Sequence, residues 1–165
     1  MKVIHLIRHG KSSWDDYALA DIDRPLKQRG IKSCEIMAPR LLQSGCNFNN
    51  IYCSPARRAQ QTIQLISQNI PGRNITWKTD DELYTFSSED LLNWLRSLDD
   101  DLDEVTLVGH NPGMTDLNNY LTANMLDNLP TCGYLQLRSL IDTWAELEAG
   151  CSIQAEYLTP KQLKS

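Results

Sequence analysis

The chain has 165 residues and a formal net charge of −5, a length that fits a single domain able to bury a substantial core. Its composition, with 41% hydrophobic and 22% charged residues, is ordinary for a globular protein in water. The acidic balance argues against a nucleic-acid-binding surface, which requires a basic face. No apolar run approaches the ~20 residues of a membrane-spanning helix. We therefore expect neither nucleic acid nor a membrane among its partners.

The cysteines and the first residues bear on the cellular compartment. The five cysteines are an odd number, lie far apart and include no Cys-x-x-Cys pair: Cys34, Cys46, Cys53, Cys132 and Cys151. This pattern predicts neither a zinc site nor a disulfide framework. The first residues lead directly into an apolar strand pattern that does not resemble a signal peptide. We expect a monomeric, cytoplasmic protein with reduced thiols.

The first predicted strand covers residues 3–10 and ends on Arg8-His9-Gly10. A short apolar run with β-branched residues is typical of a buried strand. A helical pattern follows from about Leu26 and ends near Gly45, a residue suited to the left-handed conformation of a C-cap. Pro39 lies inside this pattern, and we expect it to kink or split the helix.

A second strand and helix are predicted directly afterwards. Residues 51–53 form a short apolar strand. Ser54 is then expected to act as the N-cap, and Pro55 as the first residue, of a helix that runs to about Ile70. Further along the chain, Ser88 is predicted to cap a helix whose leucines face inward.

Strand and helix signals alternate through most of the chain. Such alternation predicts an α/β fold with a mainly parallel sheet that is covered by helices on both faces. With no internal repeat or linker, residues 1–165 are predicted to form one domain. The remaining strands are predicted at residues 75–79, 105–108, 134–140 and 152–158, with a helix from about Met114 and a helical turn within residues 142–148.

Three of the predicted strands end on cationic or titratable side chains. Arg8 and His9 follow the first strand, His110 follows the strand at 105–108, and Arg58 lies in the first turn of the helix after residues 51–53. Open α/β sheets bind their ligands at the carboxyl ends of the strands, and helix N-termini favour anions. If these strands are neighbours, the sequence predicts a phosphate-binding site at this edge.

Helical phase distinguishes two adjacent arginines. Arg57 shares an entirely polar stripe with Gln61 and Gln64, whereas Arg58 shares its stripe with Thr62, beside an apolar line of residues. Residues three and four apart lie on the same face of a helix. We therefore predict that Arg58 faces the edge of the sheet and that Arg57 faces water.

These motifs resemble those of the histidine phosphatases in the phosphoglycerate mutase-like superfamily. The match includes Arg8-His9-Gly10, Ser54-x-x-x-Arg58-Ala59-x-x-Thr62 and Gly109-His110-Asn111, in that order. More narrowly, the chain is similar to the short SixA-type phosphohistidine phosphatases. The likeness extends over about residues 3–160. The segments that carry the narrower likeness are 11–16, 23–26 with Gly30, 130–133 and 144–147.

The resemblance implies a three-layer α/β/α sandwich and a phosphatase that needs no metal and no other cofactor. In such an enzyme His9 is the nucleophile and carries the phosphoryl group as a phosphohistidine intermediate. The residues implied to bind phosphate are Arg8, Arg58, His110, Gly10 and Asn111. The two arginines would supply fixed bidentate charge, and a protonated His110 would donate a further hydrogen bond.

The substrate class depends on a proton donor. An alkoxide leaving group needs a general acid, and in the family this acid lies in the loop after the third strand, where Glu82 is the closest match in this chain. Glu82 is therefore a possible acid, whereas an imidazole leaving group departs with little help.

The chain also has little spare length for a lid, which predicts an open pocket. The loop at 12–23, with Trp14 and Tyr17, is expected at its rim.

These observations favour hydrolysis of phosphohistidine on a partner such as a histidine phosphotransfer domain. A phosphomonoesterase that acts on a small phosphate ester, phosphoserine or phosphotyrosine would need Glu82 as its acid. A mutase would need a closed site that retains the phosphoryl group. A binding module without turnover would keep the arginines but would not need His9 as a nucleophile.

Overall fold

A computed structural model of the protein describes residues 1–163. Residues 164 and 165, the end of the expected domain 1–165, lie outside the described residues. The strands are β1 (Lys2–Arg8), β2 (Ile51–Cys53), β3 (Trp77–Thr79), β4 (Glu104–Gly109), β5 (Tyr134–Ser139) and β6 (Ser152–Leu158). The α-helices are α1 (Gln28–Gln43), α2 (Arg57–Gln68), α3 (Ser88–Arg96) and α4 (Gly113–Leu121). Short 3-10 turns lie at Asp21–Asp23, Asp81–Leu83, Trp144–Glu146 and Pro160–Leu163.

The strands form one mixed sheet in the order β3-β2-β4-β1-β5-β6. Neighbours within β3-β2-β4-β1 are parallel, and β5 and β6 add two antiparallel pairings at the other edge. The prediction of a mainly parallel sheet is confirmed for these four strands. β2, β4 and β1 are adjacent, as the predicted phosphate site requires, so their carboxyl ends lie side by side.

Helices cover both faces of the sheet, which gives the expected three-layer α/β/α sandwich. Successive residues of a strand point to opposite faces, and β1 supplies both cores. Ile7 packs in a cluster with Met37 of α1 and Ile63 of α2. Leu6 packs on the other face in a cluster with Leu117 of α4. Each such side chain is fully buried, which stabilises the fold by about 1.5–3 kcal/mol per residue.

Helix α1 continues through Pro39 without a break, so the prediction that this proline splits the helix is wrong. Proline removes one amide donor from the helical ladder at a cost of about 3 kcal/mol. Met37, Ala38 and Leu41 beside it are buried, and the packing of this face outweighs that cost. The predicted C-terminus is confirmed, because Gly45 has a φ of 95° immediately after the helix ends.

The predicted start of α2 is also wrong. The helix begins at Arg57, and Ala56 rather than Ser54 occupies the N-cap position, so Pro55 is not helical. The Ser54 hydroxyl lies 2.7 Å from Nε2 of His110 and accepts a hydrogen bond from the Ala56 amide at 3.2 Å. The serine therefore ends the strand and supports a histidine instead of capping the helix.

Helix α3 is capped one residue earlier than predicted. The hydroxyl of Ser87 accepts a hydrogen bond from the Asp90 amide, and Ser88 is the first helical residue. The expected inward face is present, since Leu91 and Leu95 are buried.

Across the described residues, no helix has the length and apolar character needed to span a membrane.

Candidate active site

Backbone hydrogen bonds between neighbouring strands bring His9 and His110 together. Arg8 pairs with Gly109 across β1 and β4, and the amide of His9 donates to the Gly109 carbonyl at 3.1 Å. The two imidazole rings follow at the strand ends, with their centroids 5.2 Å apart. The positions of the two histidines are therefore fixed by the pairing of the two central strands.

His9 is held as a neutral imidazole with one nitrogen directed to the pocket arginine. Its Nδ1–H donates to the Gly10 carbonyl at 2.7 Å, which leaves the lone pair on Nε2. Nε2 lies 3.4 Å from Nε of Arg58. Burial, together with the charges of Arg58 and Arg8, lowers the pKa of His9 to about 3. An unprotonated Nε2 with a fixed tautomer is what a nucleophilic histidine requires.

Arg8 places a second positive charge in the pocket, and one of its N–H groups has no hydrogen-bond acceptor. Its Nη1 donates to the Leu129 carbonyl at 2.8 Å. Its Nε is completely shielded from solvent, and it is the one such side-chain nitrogen or oxygen within residues 1–163 that lacks a hydrogen-bond partner. Burial and the nearby charge of Arg58 lower the pKa of Arg8. A buried donor without an acceptor is costly. An anion in this pocket would accept a hydrogen bond from Nε of Arg8 and would also offset the repulsion between Arg8 and Arg58.

Arg58 is anchored by an aspartate that the sequence analysis did not identify. The side chain is 2% exposed, which confirms that Arg58 faces the sheet edge, whereas Arg57 is exposed. Nη1 of Arg58 donates to the Asp21 carbonyl at 2.7 Å, and Nη2 donates to Asp21 Oδ2 at 3.0 Å. The same carboxylate accepts hydrogen bonds from Arg24 and from the Tyr84 hydroxyl.

Asp21 is held as an anion. Burial alone would raise its pKa, but hydrogen bonds from Tyr84 and Arg58 and the charge of Arg58 lower the pKa of Asp21 to about 2. The 3-10 turn Asp21–Asp23 thus places a negative charge beside Arg58, the arginine that the sequence predicts to bind phosphate. A signal existed in the sequence, since Asp21 and Arg24 are three residues apart and form an ion pair at 3.2 Å.

His110 is oriented by the Ser54 hydroxyl. Its Nδ1 lies 3.5 Å from Nη2 of Arg58, and because a guanidinium only donates, Nδ1 is assigned as the acceptor. Nε2 then carries the hydrogen and donates it to Ser54. Burial and the neighbouring His9 and Arg58 lower the pKa of His110 to about 3. His110 must therefore take up a proton before Nδ1 can donate to a phosphate oxygen.

A sequence profile that represents the histidine phosphatase superfamily (branch 1) matches residues 4–91, which include His9 and Arg58. The chain belongs to the histidine phosphatase superfamily. Its fold and its family membership identify it as a phosphatase. Among the curated relatives, an uncharacterized protein of Mycobacterium tuberculosis is 27% identical over 165 residues, which cover 94% of this chain and 100% of the relative.

Two solved histidine phosphatase structures show the same architecture. One is SixA from Agrobacterium tumefaciens, provisionally assigned as a phosphohistidine phosphatase, with a TM-score of 0.79 and 27% identity over 96% of this chain and 98% of that chain. The other is the protein histidine phosphatase SixA complexed with tungstate, with a TM-score of 0.80 and 19% identity over 98% of this chain and 99% of that chain. At 19% identity, the similarity to the tungstate-bound SixA structure shows that the two chains share a fold.

Two expected phosphate ligands of this histidine phosphatase have other contacts. The Gly10 amide donates to Thr62 Oγ1 at 2.9 Å, and a Cβ at Gly10 would lie 3.2 Å from the Gly30 carbonyl. Gly10 therefore allows a close approach to α1, and its amide is already bonded within the protein. Asn111 Nδ2 donates to Asn128 and to the Leu129 carbonyl, both at 3.0 Å. Both amide hydrogens of Asn111 are used, so it positions the loop at 128–129 that holds Arg8.

Glu82 lies in the 3-10 turn next to the pocket, and its side chain is exposed. Within residues 1–163 its carboxylate takes part in no hydrogen bond with His9, Arg58 or His110. It lines a neighbouring cleft of about 530 Å³ together with Tyr84. Tyr84 contacts the site directly, since its ring meets that of His110 edge-on at 5.5 Å. The structure thus brings four of the predicted residues together and leaves Glu82 at the periphery.

Proposed function

We propose that this histidine phosphatase hydrolyses phosphohistidine on a protein such as a phosphotransfer domain. The observation that carries the proposal is the state of Asp21, the one carboxylate hydrogen-bonded to Arg58 among the described residues. It accepts hydrogen bonds from Arg58, Arg24 and Tyr84, so it is ionised and has no proton for a leaving group. A substrate that needs no acid from the enzyme suits this site best.

Phosphohistidine is such a substrate. In the first step Nε2 of His9 attacks phosphorus in line, a new N–P bond forms, and the N–P bond of the substrate breaks. The substrate imidazole, once its second nitrogen is protonated by solvent, departs as a neutral molecule that keeps the electron pair of the broken bond. An alkoxide from a phosphate ester has a far higher proton affinity and needs a donor at this stage.

Water completes the reaction. It attacks phosphorus of the phosphorylated His9, the N–P bond breaks, and the electron pair returns to Nε2. The water protons remain with the inorganic phosphate and the solvent, so the products are free histidine on the substrate and phosphate. The hydrogen bond from Nδ1 of His9 to the Gly10 carbonyl keeps the ring orientation constant through both steps.

Cationic side chains stabilise the group in transfer. Arg8 and Arg58 present fixed positive charge where the equatorial oxygens collect negative charge. His110 adds a donor when the bound dianion, an adjacent negative charge, raises its pKa. This preorganised charge is the main contribution that the protein makes to phosphoryl transfer.

The rim of the pocket supports a protein substrate. Tyr17 is 93% exposed and Trp14 is 63% exposed, and both belong to the loop that leads to Asp21. The guanidinium of Arg24 lies 3.5 Å above the Trp14 ring and also contacts Asp21. Exposed aromatic side chains next to a binding site are typical of protein interfaces.

The test compares phosphate release from a phosphohistidine-bearing phosphotransfer domain and from an equimolar phosphoserine peptide. We expect release from the former, with His9→Ala abolishing it and Arg57→Ala, at an exposed neighbour of Arg58, leaving it unchanged. Preferential release from the phosphoserine peptide, lost in Glu82→Gln, would establish a phosphomonoesterase instead. Binding of both substrates without release would indicate a binding module.

A further inference from the structure

A second cleft, of about 410 Å³, lies beside the phosphate site. Its walls come from the loop after β1, helix α1, the segment before Cys132 and the C-terminal 3-10 turn. We refer to it as the basic cleft. Its lining residues are Lys11, Arg29, Ser33, Pro130, Thr131, Thr159, Pro160 and Lys161.

The basic cleft concentrates positive charge in a protein that is acidic overall. Lys11, Arg29 and Lys161 come from three separate segments, and no acidic residue among residues 1–163 lines the cleft. None of the three forms an ion pair with a carboxylate within residues 1–163. Like charges held in one concave site repel one another, and an anionic ligand offsets this repulsion.

Hydroxyl donors line the same cleft. Ser33 and Thr159 are largely buried, and Thr131 is half-buried. Across the described residues, none of these three hydroxyls takes part in a hydrogen bond. Their donor capacity is therefore available to a ligand in the cleft, and hydroxyls together with cations form a set of donors that matches carboxylate oxygens.

Two walls of the basic cleft adjoin the backbone of the nucleophile. Lys11 follows the nucleophile by two positions, and its carbonyl accepts a hydrogen bond from the Lys27 amide at 3.0 Å. On the other wall, the Cys132 amide donates to the His9 carbonyl at 3.0 Å, next to the cleft residue Thr131. The cleft is thus built on backbone segments that adjoin His9.

The opposite flank of the site carries the opposite charge. The cleft around Tyr84 is lined by Asp81, Glu82 and Asp90 and would repel an anionic segment. A phosphorylated chain with carboxylates on one side of its phosphohistidine therefore has one favourable orientation, in which the carboxylates enter the basic cleft.

We propose that the basic cleft binds an acidic segment next to the phosphorylated residue of a protein substrate. The proposal rests on the proposed function and adds the chemistry by which the substrate is recognised. Lys11, Arg29 and Lys161 attract the carboxylates, and the hydroxyls of Ser33 and Thr131 donate hydrogen bonds to them. Exposed charges of this kind mainly raise the rate of association and the selectivity between substrates, and they have little effect on the chemical step.

The test uses two phosphohistidine peptides of the same length, one with Glu and Asp beside the phosphohistidine and the other with Gln and Asn. The wild-type protein is expected to favour the acidic peptide about fivefold in kcat/KM, a value typical of a few exposed ion pairs. The preference should reside in KM and weaken in high salt. The double variant Arg29→Glu/Lys161→Glu should abolish or reverse it and leave turnover of phosphoramidate, which has no flanking segment, unchanged.

A matched double variant controls for net charge. Arg40→Glu/Lys78→Glu changes the charge by the same amount at exposed positions outside the cleft, and it should keep the preference for the acidic peptide. If wild-type protein cleaves both peptides equally, or if both double variants behave alike, the proposal for the basic cleft is overturned. If wild-type protein cleaves neither peptide, the proposed function itself fails, and the assignment of the cleft fails with it.

Discussion

The carboxylate of Asp21 lies 3.0 Å from the guanidinium of Arg58, measured from Oδ2 to Nη2. The guanidinium is therefore bound to an internal anion, beside the His9 Nε2 that we propose receives the phosphoryl group. Asp21 has two opposing effects, since it fixes the geometry of Arg58 and also competes with the substrate for its charge. Because the Asp21 carbonyl accepts a second hydrogen bond from Nη1, the geometry does not depend on the carboxylate alone.

Asp21→Asn should therefore strengthen the binding of inorganic phosphate. The amide keeps the shape of the side chain but removes the competing charge, so we expect the inhibition constant of phosphate to fall by roughly three- to tenfold. Because ground-state and transition-state binding change together, kcat should not rise. The constant is measured by competition against phosphohistidine turnover.

Asp23→Asn provides the control for this change. Asp23 lies in the same 3-10 turn and is exposed, and it has the same charge but makes no ion pair within residues 1–163. It should leave the inhibition constant unchanged. Weaker phosphate binding in Asp21→Asn would show instead that positioning of Arg58 outweighs competition for its charge.

Ser54→Ala should lower kcat by about tenfold with little change in KM. The Ser54 hydroxyl lies 2.7 Å from Nε2 of His110, and without it the ring loses the partner that fixes its tautomer. Steady-state kinetics from pH 5 to pH 9 test the role, because a positioning residue of His110 should also shift the alkaline limb of the kcat profile. Ser97→Ala, at an exposed hydroxyl bonded within α3, should leave kinetics and profile unchanged.

Much of the catalytic geometry could be predicted from the sequence because it depends on strand ends. Arg8, His9 and His110 follow apolar strands directly, and parallel neighbours bring such residues to one edge. Arg58 was placed by helical phase, a local property. These predictions required only that β2, β4 and β1 be adjacent, which they are.

Asp21 and Ser54 could not be assigned in the same way. Asp21 reaches Arg58 across 37 positions of the chain from a loop without periodicity, where no pattern restricts the direction of a side chain. Ser54 followed a strand and preceded a helix, so capping was the local expectation, but a buried histidine provided the stronger partner. Side-chain contacts made across the fold decided both cases.

Arg58→Ala should reduce kcat/KM by about 10²–10³-fold, since it removes a fixed bidentate charge from the transferring group. It also leaves the Asp21 carboxylate without its principal partner. Arg57→Ala is the matched control, because that exposed side chain differs from Arg58 only in helical phase. Equal losses in the two variants would contradict the placement of Arg58 in the phosphate pocket.

The stability of the protein should fall as the pH falls from 7 to 4.5. His9 and His110 have pKa values of about 3 in the folded protein and about 6.5 in an unfolded chain. The unfolded state therefore binds more protons throughout this interval, so the free energy of unfolding decreases with decreasing pH. We expect a loss of about 3–5 kcal/mol between pH 7 and pH 4.5, measured by urea unfolding.

Replacement of one histidine separates this effect from other titrations. His9→Gln removes one of three buried imidazoles, since burial also lowers the pKa of His5, and its loss of stability over the same interval should be smaller than that of the wild-type protein. Asp21 does not contribute here, since its pKa is lowered to about 2 and its stabilisation is lost only below about pH 4. An unchanged pH dependence in His9→Gln would mean that His9 is not held neutral by burial beside the arginines.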